Sequence, residues 1–338
     1  MTSVFRLSAF AAIALVTSVA AQAEELNVYS ARHYSGDDAL YAAFTAATGI
    51  TVNRIEDKED PLLERIKSEG ANSPADVFIT VDAGRLWRAE EVLAPVDSET
   101  LNSRIPEHLR HPDGLWFGFS TRARVIVYNK ETVDPASLDS YDDLADPAWK
   151  GKVCMRSGSN IYNLSLLASM IAHEGAEKAQ AWAQGVKDNF AREPEGGDTD
   201  QIKGVAAGEC AVTLSNQYYY VRLMKSDKPE DRAVAEKTGI IWPNQGTTGT
   251  HVNISGAGMV KTAPHPEAAV KFLEFLASDE AQHYFSSGNN EYPAVAAVTI
   301  DNPELVSLGT FTADTLNVSA LGKNQAEAQA IYDRVGWK

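Results

Sequence analysis

Short runs typical of β-strands alternate with helical segments along the first part of this chain, and this alternation strongly restricts the fold. The pattern predicts strand, helix, strand, helix and strand over residues 26–30, 36–48, 50–55, 60–70 and 75–80. Leu62, Leu63 and Ile66 repeat at helical spacing within the second helix. Repeated strand–helix–strand units indicate an α/β fold in which helices flank a mostly parallel, doubly wound sheet.

Two longer strand-like stretches suggest how the chain divides into domains. They cover residues 117–129 and 251–260, and a complete second series of elements lies between them. We therefore expect two domains joined by a hinge of two strands. The expected first domain comprises residues 24–121 plus 248–295, and the expected second domain comprises 122–247 plus 296–338.

The N-terminus has the pattern of a secretory signal peptide. One basic residue, Arg6, precedes an apolar run, and Ala21-Gln22-Ala23 has the small-residue pattern of a signal peptidase site. We expect residues 1–23 to be removed and the mature chain to begin at Glu24. No later stretch approaches the roughly 20 apolar residues of a membrane-spanning helix. The mature protein is therefore expected in the periplasm, without membrane insertion of its own.

The charge of the chain argues against some classes of partner. The formal net charge of the 338 residues is −16, and 44% of them are hydrophobic. An acidic protein of this kind is repelled by nucleic acids and by anionic lipid surfaces. The charge favours a cationic ligand only weakly, because acidic residues also serve solubility.

The chain has two cysteines, Cys154 and Cys210. Each lies in a short strand-like run, and two strands of one sheet would place them side by side. Because the expected compartment is oxidising, we predict a disulfide between them. A metal site of soft thiolate ligands would require more partners than these two residues offer.

Tyrosines follow three of the predicted strands. In open α/β sheets, ligands bind beyond the carboxyl ends of the strands. Tyr34, preceded by His33, follows the first strand, Tyr162 follows the strand of Cys154, and Tyr218 and Tyr219 follow the strand of Cys210. A single tyrosine after a strand is more often a packing residue. Their coincidence at one edge of the sheet favours a binding site, whereas Tyr220 is expected to point into the core.

Several phenols together suit a highly charged, hard cation. The pKa of a phenol is near 10, so only such a cation displaces its proton at neutral pH. Zn²⁺ and softer metals prefer Cys and His, and Ca²⁺ and Mg²⁺ prefer carboxylates and carbonyls, which leaves Fe³⁺ as the best match. Four phenolates would leave a net charge of −1, which Arg122, Arg124 or Arg222 could offset.

Six motifs connect this sequence with a known family. They are Val28–Tyr34, Pro74–Trp87, Ser159–Asn163, the Tyr218-Tyr219 pair, Thr250–Gly258 and Asn289–Pro293. With these motifs the mature chain resembles, over essentially its whole length, the FutA-like branch of periplasmic ferric-iron-binding proteins, which are related to the FbpA type.

This resemblance implies a venus-flytrap fold that delivers iron to an ABC permease and its ATPase, and a monomer is expected. It implies a metal site formed by His33, Tyr34, Tyr162, Tyr218 and Tyr219. Some relatives carry a glutamate ligand at the position of Val81. The absence of that glutamate here favours the variant of the site in which tyrosines, including Tyr162, supply the metal ligands. Whether His33 binds the metal or only lines the cleft stays open, as does the choice between Fe³⁺ and Fe²⁺ in the cell.

Two alternatives remain. The same fold binds small organic cations or oxyanions in other proteins, such as polyamines, thiamine or phosphonates. The acidic runs 57–60 and 197–200, which a polyamine site would need, have the pattern of solvated loop and helix-start charges. An enzyme is not expected, because the sequence lacks a Gly-x-Ser-x-Gly elbow, a His-Glu-x-x-His motif and a glycine-rich phosphate loop.

Overall fold

A computed structural model describes residues 24–32, 34 and 36–338 of the protein. The predicted signal peptide and His33 lie outside the described residues. The strands are β1 (Glu25–Ser30), β2 (Thr51–Glu56), β3 (Val77–Val81), β4 (Leu93–Ala94), β5 (Phe117–Asn129), β6 (Val153–Cys154), β7 (Val212–Asn216), β8 (Thr238–Ile241), β9 (Val252–Val260) and β10 (Tyr292–Pro293).

Helices surround these strands. They are α1 (Asp37–Thr48), α2 (Glu59–Glu69), α3 (Ala83–Ala89), α4 (Glu99–Arg104), α5 (Ile161–Glu174), α6 (Ala176–Asp188), α7 (Asp198–Ala207), α8 (Gln217–Met224), α9 (Pro229–Lys237), α10 (Pro266–Leu276), α11 (Asp279–Asn289), α12 (Pro303–Ser307), α13 (Ser319–Lys323) and α14 (Gln325–Val335). None of the described helices is long and apolar enough to cross a membrane.

Seven of the described strands lie in the order β2-β1-β3-β9-β5-β7-β6, while β4 pairs with β9, and β8 and β10 pair with β5. The pairs β1–β2, β1–β3 and β6–β7 are parallel, as the sequence predicts. All pairings of β5 and β9 are antiparallel, so the prediction of a mostly parallel sheet is wrong for the centre. The physical reason is that β5 carries the chain out of one half of the sheet and β9 carries it back, so the two strands run in opposite directions.

The long strand β5 connects the two halves of the sheet. Its first part, from Phe117 to Ala123, pairs with β9, and its second part, from Arg124 to Asn129, pairs with β7 and β8. The strands β5 and β9 approach each other closely at Gly256, where a Cβ atom would lie 2.6 Å from the Phe117 carbonyl oxygen. Glycine is therefore required at this position for the backbones to meet.

Two large hydrophobic cores form on the two halves of the sheet. The first core is built from residues between Leu26 and Phe119 and between Ile254 and Leu321. The second core is built from residues between Ile126 and Leu214 and between Ala328 and Trp337. The chain therefore passes between the cores on β5, again before β9, and a third time between residues 321 and 328.

The predicted disulfide between Cys154 and Cys210 is present, with their Cα atoms 5.7 Å apart. Cys154 ends β6, and Cys210 lies just before β7, the parallel neighbour of β6. Both sulfurs are buried beside Val205 of α7. The disulfide therefore links β6 to the segment that enters β7, within the second half of the sheet.

Candidate metal centre

Tyr162, Tyr218 and Tyr219 lie at the starts of two helices that follow neighbouring parallel strands. Tyr162 is in the first turn of α5, whose N-cap residue Asn160 accepts a hydrogen bond from the Tyr162 backbone N–H at 3.1 Å. Tyr218 and Tyr219 open α8, which begins directly after β7. Because the carboxyl ends of β6 and β7 lie side by side, the two helix starts meet at one edge of the sheet.

The side chains of these tyrosines are in contact with one another and with Tyr34. The hydroxyl oxygens of Tyr162 and Tyr218 are 3.2 Å apart, and the ring centroids of Tyr218 and Tyr219 are 4.2 Å apart. Tyr34, which follows β1 on the other half of the sheet, packs edge-on against Tyr218 with 6.5 Å between ring centroids. Tyr34, Tyr162, Tyr218 and Tyr219, called the site tyrosines below, therefore converge from both halves of the protein.

Tyr220 does not join this group. Its hydroxyl shares its one proton between the backbone oxygens of Ala235 and Thr238, which lie 2.9 and 2.7 Å away. The side chain is buried in a cluster with Val125 and Val127 of β5. The prediction that Tyr220 packs in the core is confirmed.

Burial keeps the phenols of Tyr34, Tyr218 and Tyr219 protonated. Burial, followed by the charge of Glu291, raises the pKa of Tyr34 far above its ordinary value. Burial, with a smaller contribution from the neighbouring Tyr162, also raises the pKa of Tyr218 far above its ordinary value. The same two causes raise the pKa of Tyr219 to about 12. These phenols become phenolates near neutral pH only if a cation binds to their oxygens.

The three arginines proposed from the sequence all lie near the site tyrosines. Arg122 is buried, and although burial lowers its pKa, the charge of Glu291 shifts the pKa upward overall. The Arg222 guanidinium lies 5.7 and 5.3 Å from the ring centroids of Tyr218 and Tyr219. The Arg124 guanidinium lies 5.9 Å from the ring centroid of Tyr162. Positive charge therefore surrounds the phenols.

Asp198 holds two of the surrounding arginines, which the sequence analysis did not predict. It was expected to be a solvated helix-start charge, but the structure buries it completely. One carboxylate oxygen accepts hydrogen bonds from Arg124 and from the Asn216 backbone N–H, both at 2.8 Å. The other accepts from Arg156 at 3.0 Å, and that guanidinium lies 5.3 Å from the Tyr162 ring centroid. No local pattern distinguishes such an aspartate from a solvated one.

The acidic run 57–60 is also only partly solvated. Asp57 and Asp60 are exposed, but Glu59 is buried and forms an ion pair with Arg85 at 2.6 Å. An aspartate–arginine pair of the same kind joins Asp37 to Arg32 beside the site, at 3.0 Å. A buried charge of this kind requires a partner. Local sequence pattern does not show which residue of the folded chain will be that partner.

Glu291 is a second buried carboxylate beside the site. It accepts hydrogen bonds from the hydroxyls of Ser120 and Ser255, and its oxygens lie 3.5 Å from Arg122 and 3.8 Å from Arg32. The motif Asn289–Pro293 contains Glu291, although no sequence pattern assigned it a role. Its position between two arginines makes it a partner for their charges rather than a free metal ligand.

Among the described residues, the candidate donor groups of the site are phenols. Among residues 24–32, 34 and 36–338, no group of three or more His, Cys, Asp or Glu side chains could hold a metal ion. Val81, at the end of β3, is buried and apolar. Phenol oxygens surrounded by guanidinium groups suit a hard trivalent cation better than Ca²⁺, Mg²⁺ or Zn²⁺.

An α/β sheet in two halves, with ligand groups converging where its strands end, defines a solute-binding protein of the venus-flytrap class. Comparisons with known proteins agree with this class. Residues 72–311 match the family of bacterial extracellular solute-binding proteins. The chain is 55% identical to iron uptake protein A1 of Synechocystis, over 93% of this chain and 88% of that protein.

Solved structures give the same result. FutA of Trichodesmium, in complex with iron and citrate, superposes with a TM-score of 0.91 at 59% identity, covering 93% of this chain and 100% of that one. The ferric binding protein of Campylobacter jejuni has a TM-score of 0.87 at 44% identity, with coverage of 93% and 100%. The chain belongs to the bacterial extracellular solute-binding family, in its FutA-like branch of ferric-iron-binding proteins.

Proposed function

We propose that this protein captures Fe³⁺ between its two halves through the site tyrosines and delivers it to an ABC importer. The observation that carries the proposal is the convergence of phenols from both halves, with the Tyr162 and Tyr218 hydroxyl oxygens only 3.2 Å apart. His33, adjacent to Tyr34 in the chain, remains a predicted ligand. The names of similar proteins, which include an iron uptake protein and an iron-bound FutA, support the same cargo.

Iron binding supplies the charge that ionises the phenols. Fe³⁺ bound to four phenolates carries a net charge of −1, which the guanidinium groups of Arg122 and Arg222 offset at close range. Arg124 and Arg156 add positive charge near Tyr162, although Asp198 compensates part of it. Protonation of the phenolates, or reduction to Fe²⁺, weakens these bonds and favours release.

We further propose that the two cores are two domains that close around the iron. Val318 and Leu321 pack in the first core, and residues from Ala328 onward pack in the second. We therefore place the last domain boundary between residues 321 and 328 rather than at 296. Ligands from both domains bind one ion only in the closed form, so iron shifts the population toward that form.

The proposed partner is an ABC permease with its ATPase in the inner membrane. The family consists of solute-binding proteins, and such proteins serve ABC transporters rather than catalyse reactions. We propose the periplasm as the compartment and a monomer as the working form. The signal-peptide pattern and the disulfide between Cys154 and Cys210 support an oxidising compartment outside the cytoplasm.

The visible spectrum tests the iron site directly. Protein loaded with ferric citrate should show a phenolate-to-iron charge-transfer band in the visible region, because phenolate oxygens donate electron density to Fe³⁺. Replacing both Tyr218 and Tyr219 by Phe should abolish the band and lower iron affinity at least a hundredfold.

The matched control is Tyr220→Phe. Tyr220 is the next residue of the same helix, but its hydroxyl binds two backbone oxygens away from the site. This variant should keep the band even if its stability falls. A band of unchanged intensity in the Tyr218→Phe/Tyr219→Phe protein would rule out these residues as ligands.

A further inference from the structure

The helix that carries Tyr162 also carries a direct link to the other half of the protein. Ser165 lies three residues after Tyr162 on α5, so the two side chains share one helix face. The Ser165 hydroxyl donates a hydrogen bond of 2.8 Å to an oxygen of the Asp82 carboxylate. Both side chains are completely buried.

This hydrogen bond joins the two cores. Ser165 lies between Leu164 and Leu166, which both pack in the second core. Asp82 follows β3 directly, and its neighbour Ala83 packs in the first core. The bond therefore crosses from one half of the protein to the other, and moving the two halves apart at this point would break it.

Asp82 is held in place by its own half of the protein. Its backbone has φ = 83°, a region that residues other than glycine rarely adopt unless their surroundings hold them there. The carboxylate accepts hydrogen bonds from the Gly84 backbone N–H at 2.9 Å and from the Asn253 side chain at 2.8 Å. Asn253 in turn accepts a hydrogen bond of 2.9 Å from the Ala83 backbone N–H.

This arrangement leaves one acceptor position of Asp82 directed at α5. Two hydrogen bonds from its own half fix the carboxylate, and the third comes from Ser165. Burial raises the pKa of Asp82, and the charge of Arg122 and the hydrogen bond from Ser165 oppose that rise. The carboxylate is therefore better satisfied with α5 in place than without it.

We propose that Asp82 is a positioning residue for iron capture. By accepting the hydrogen bond of Ser165, it holds α5, and therefore the Tyr162 phenol, against the half of the protein that carries Tyr34. The inference rests on the proposed function, because positioning of Tyr162 matters only if the site tyrosines bind iron together. Neither Asp82 nor Ser165 is a proposed metal ligand. Their effect is therefore on closure and on the rate of iron release.

Ser165→Ala tests the proposal, with Ser169→Ala as the matched control. Ser169 lies one turn further along α5 and is also buried, but its hydroxyl donates to the Leu166 backbone oxygen within the same helix. The measurement is the rate at which iron-loaded protein transfers Fe³⁺ to excess EDTA, followed by loss of the visible band. Ser165→Ala should release iron roughly tenfold faster than wild type, since a hydrogen bond to a charged group is lost only from the closed form.

Two further readouts separate positioning from general damage. The position of the visible band should be the same in wild type, Ser165→Ala and Ser169→Ala, because the ligands are unchanged. Urea unfolding of the iron-free Ser165→Ala and Ser169→Ala proteins should give similar midpoints. Asp82→Ala should release iron as fast as Ser165→Ala or faster, and the double variant should be no faster than Asp82→Ala.

The outcomes distinguish this inference from the proposed function. If wild-type protein shows no visible band with ferric citrate, the iron site itself is wrong. If wild type binds iron but Ser165→Ala releases it no faster than Ser169→Ala, the positioning role of Asp82 is wrong and the iron site stands. Should Asp82→Ala fail to fold, the comparison of the two serine variants still decides.

Discussion

The phenols of Tyr34, Tyr218 and Tyr219 have a protonation state that depends on the metal. Burial raises the pKa of Tyr34 and Tyr218 far above the ordinary value and that of Tyr219 to about 12, so all three are neutral at pH 7 in the iron-free protein. Each must lose a proton to bind iron as a phenolate. Because acid favours the neutral phenol, iron affinity falls as pH falls, and the raised pKa values extend this dependence through the neutral range.

Tyr219→Phe should therefore release one proton fewer than wild type on binding iron at pH 7. The number of protons follows from calorimetric titrations with ferric citrate in buffers of different ionisation enthalpy. Any protons exchanged by the citrate complex are the same for both proteins, so they cancel in the comparison. Equal proton release from the two proteins would show that Tyr219 does not bind as a phenolate.

The strands β6 and β7 support the helices that carry three of the site tyrosines. The disulfide joins Cys154, at the end of β6, to Cys210, just before β7. Beyond these cysteines the chain leads into α5 and α8, where Tyr162 and Tyr218 lie. The cross-link therefore constrains the part of the second core from which Tyr162, Tyr218 and Tyr219 project.

Removing the disulfide should destabilise the protein by about 4 kcal/mol, because the bond closes a long loop with a sequence separation of 56. The free energy of unfolding of the Cys154→Ala/Cys210→Ala variant, from urea denaturation of the iron-free protein, checks this value. Wild type denatured without reductant should show no free thiol. Two titratable thiols, or a loss of stability below about 1 kcal/mol, would contradict the structural role.

The two halves of the molecule are joined by more than the crossing strands. Gln217, directly before Tyr218, donates a hydrogen bond of 3.0 Å to the Asn290 backbone oxygen and accepts one of 2.8 Å from the Ala123 N–H. The link between Ser165 and Asp82 does the same for α5. Both helices that carry site tyrosines therefore contact the other half, as the proposed closure around iron requires.

Iron loading should make the whole molecule more compact. Small-angle X-ray scattering should show a smaller radius of gyration with iron than without, because ligands from both domains bind one ion only when the cleft is closed. The Tyr218→Phe/Tyr219→Phe protein should show no such change on addition of ferric citrate. Equal radii for loaded and iron-free wild type would indicate that iron binding does not drive closure.

Much of the architecture was predictable because it depends on local pattern. Strand and helix periodicity predicted the elements from β1 to β3. The two long strand-like stretches predicted β5 with both of its ends and β9 with an error of one residue at its start. The cysteines in neighbouring strand-like runs predicted the disulfide. The site tyrosines as iron ligands stay a prediction, although the structure brings them together.

Other features depended on contacts between residues distant in the chain. Whether an acidic residue is solvated or buried depends on which arginine reaches it, so the expectation for Asp198 and Glu59 was wrong. The mixed centre of the sheet follows from the paths of β5 and β9 through space. The passage of the tail between the cores depends on where Val318 and Leu321 pack.

Sequence pattern was therefore sufficient for the α/β class, the disulfide and the positions of the tyrosines, because each of these follows from periodicity or from the end of a strand. Tertiary packing decided which charges are buried beside the phenols and which serine reaches Asp82. The physical reason is that a buried charge or hydroxyl is stable only with a partner, and only the folded chain determines which partner lies within hydrogen-bonding distance.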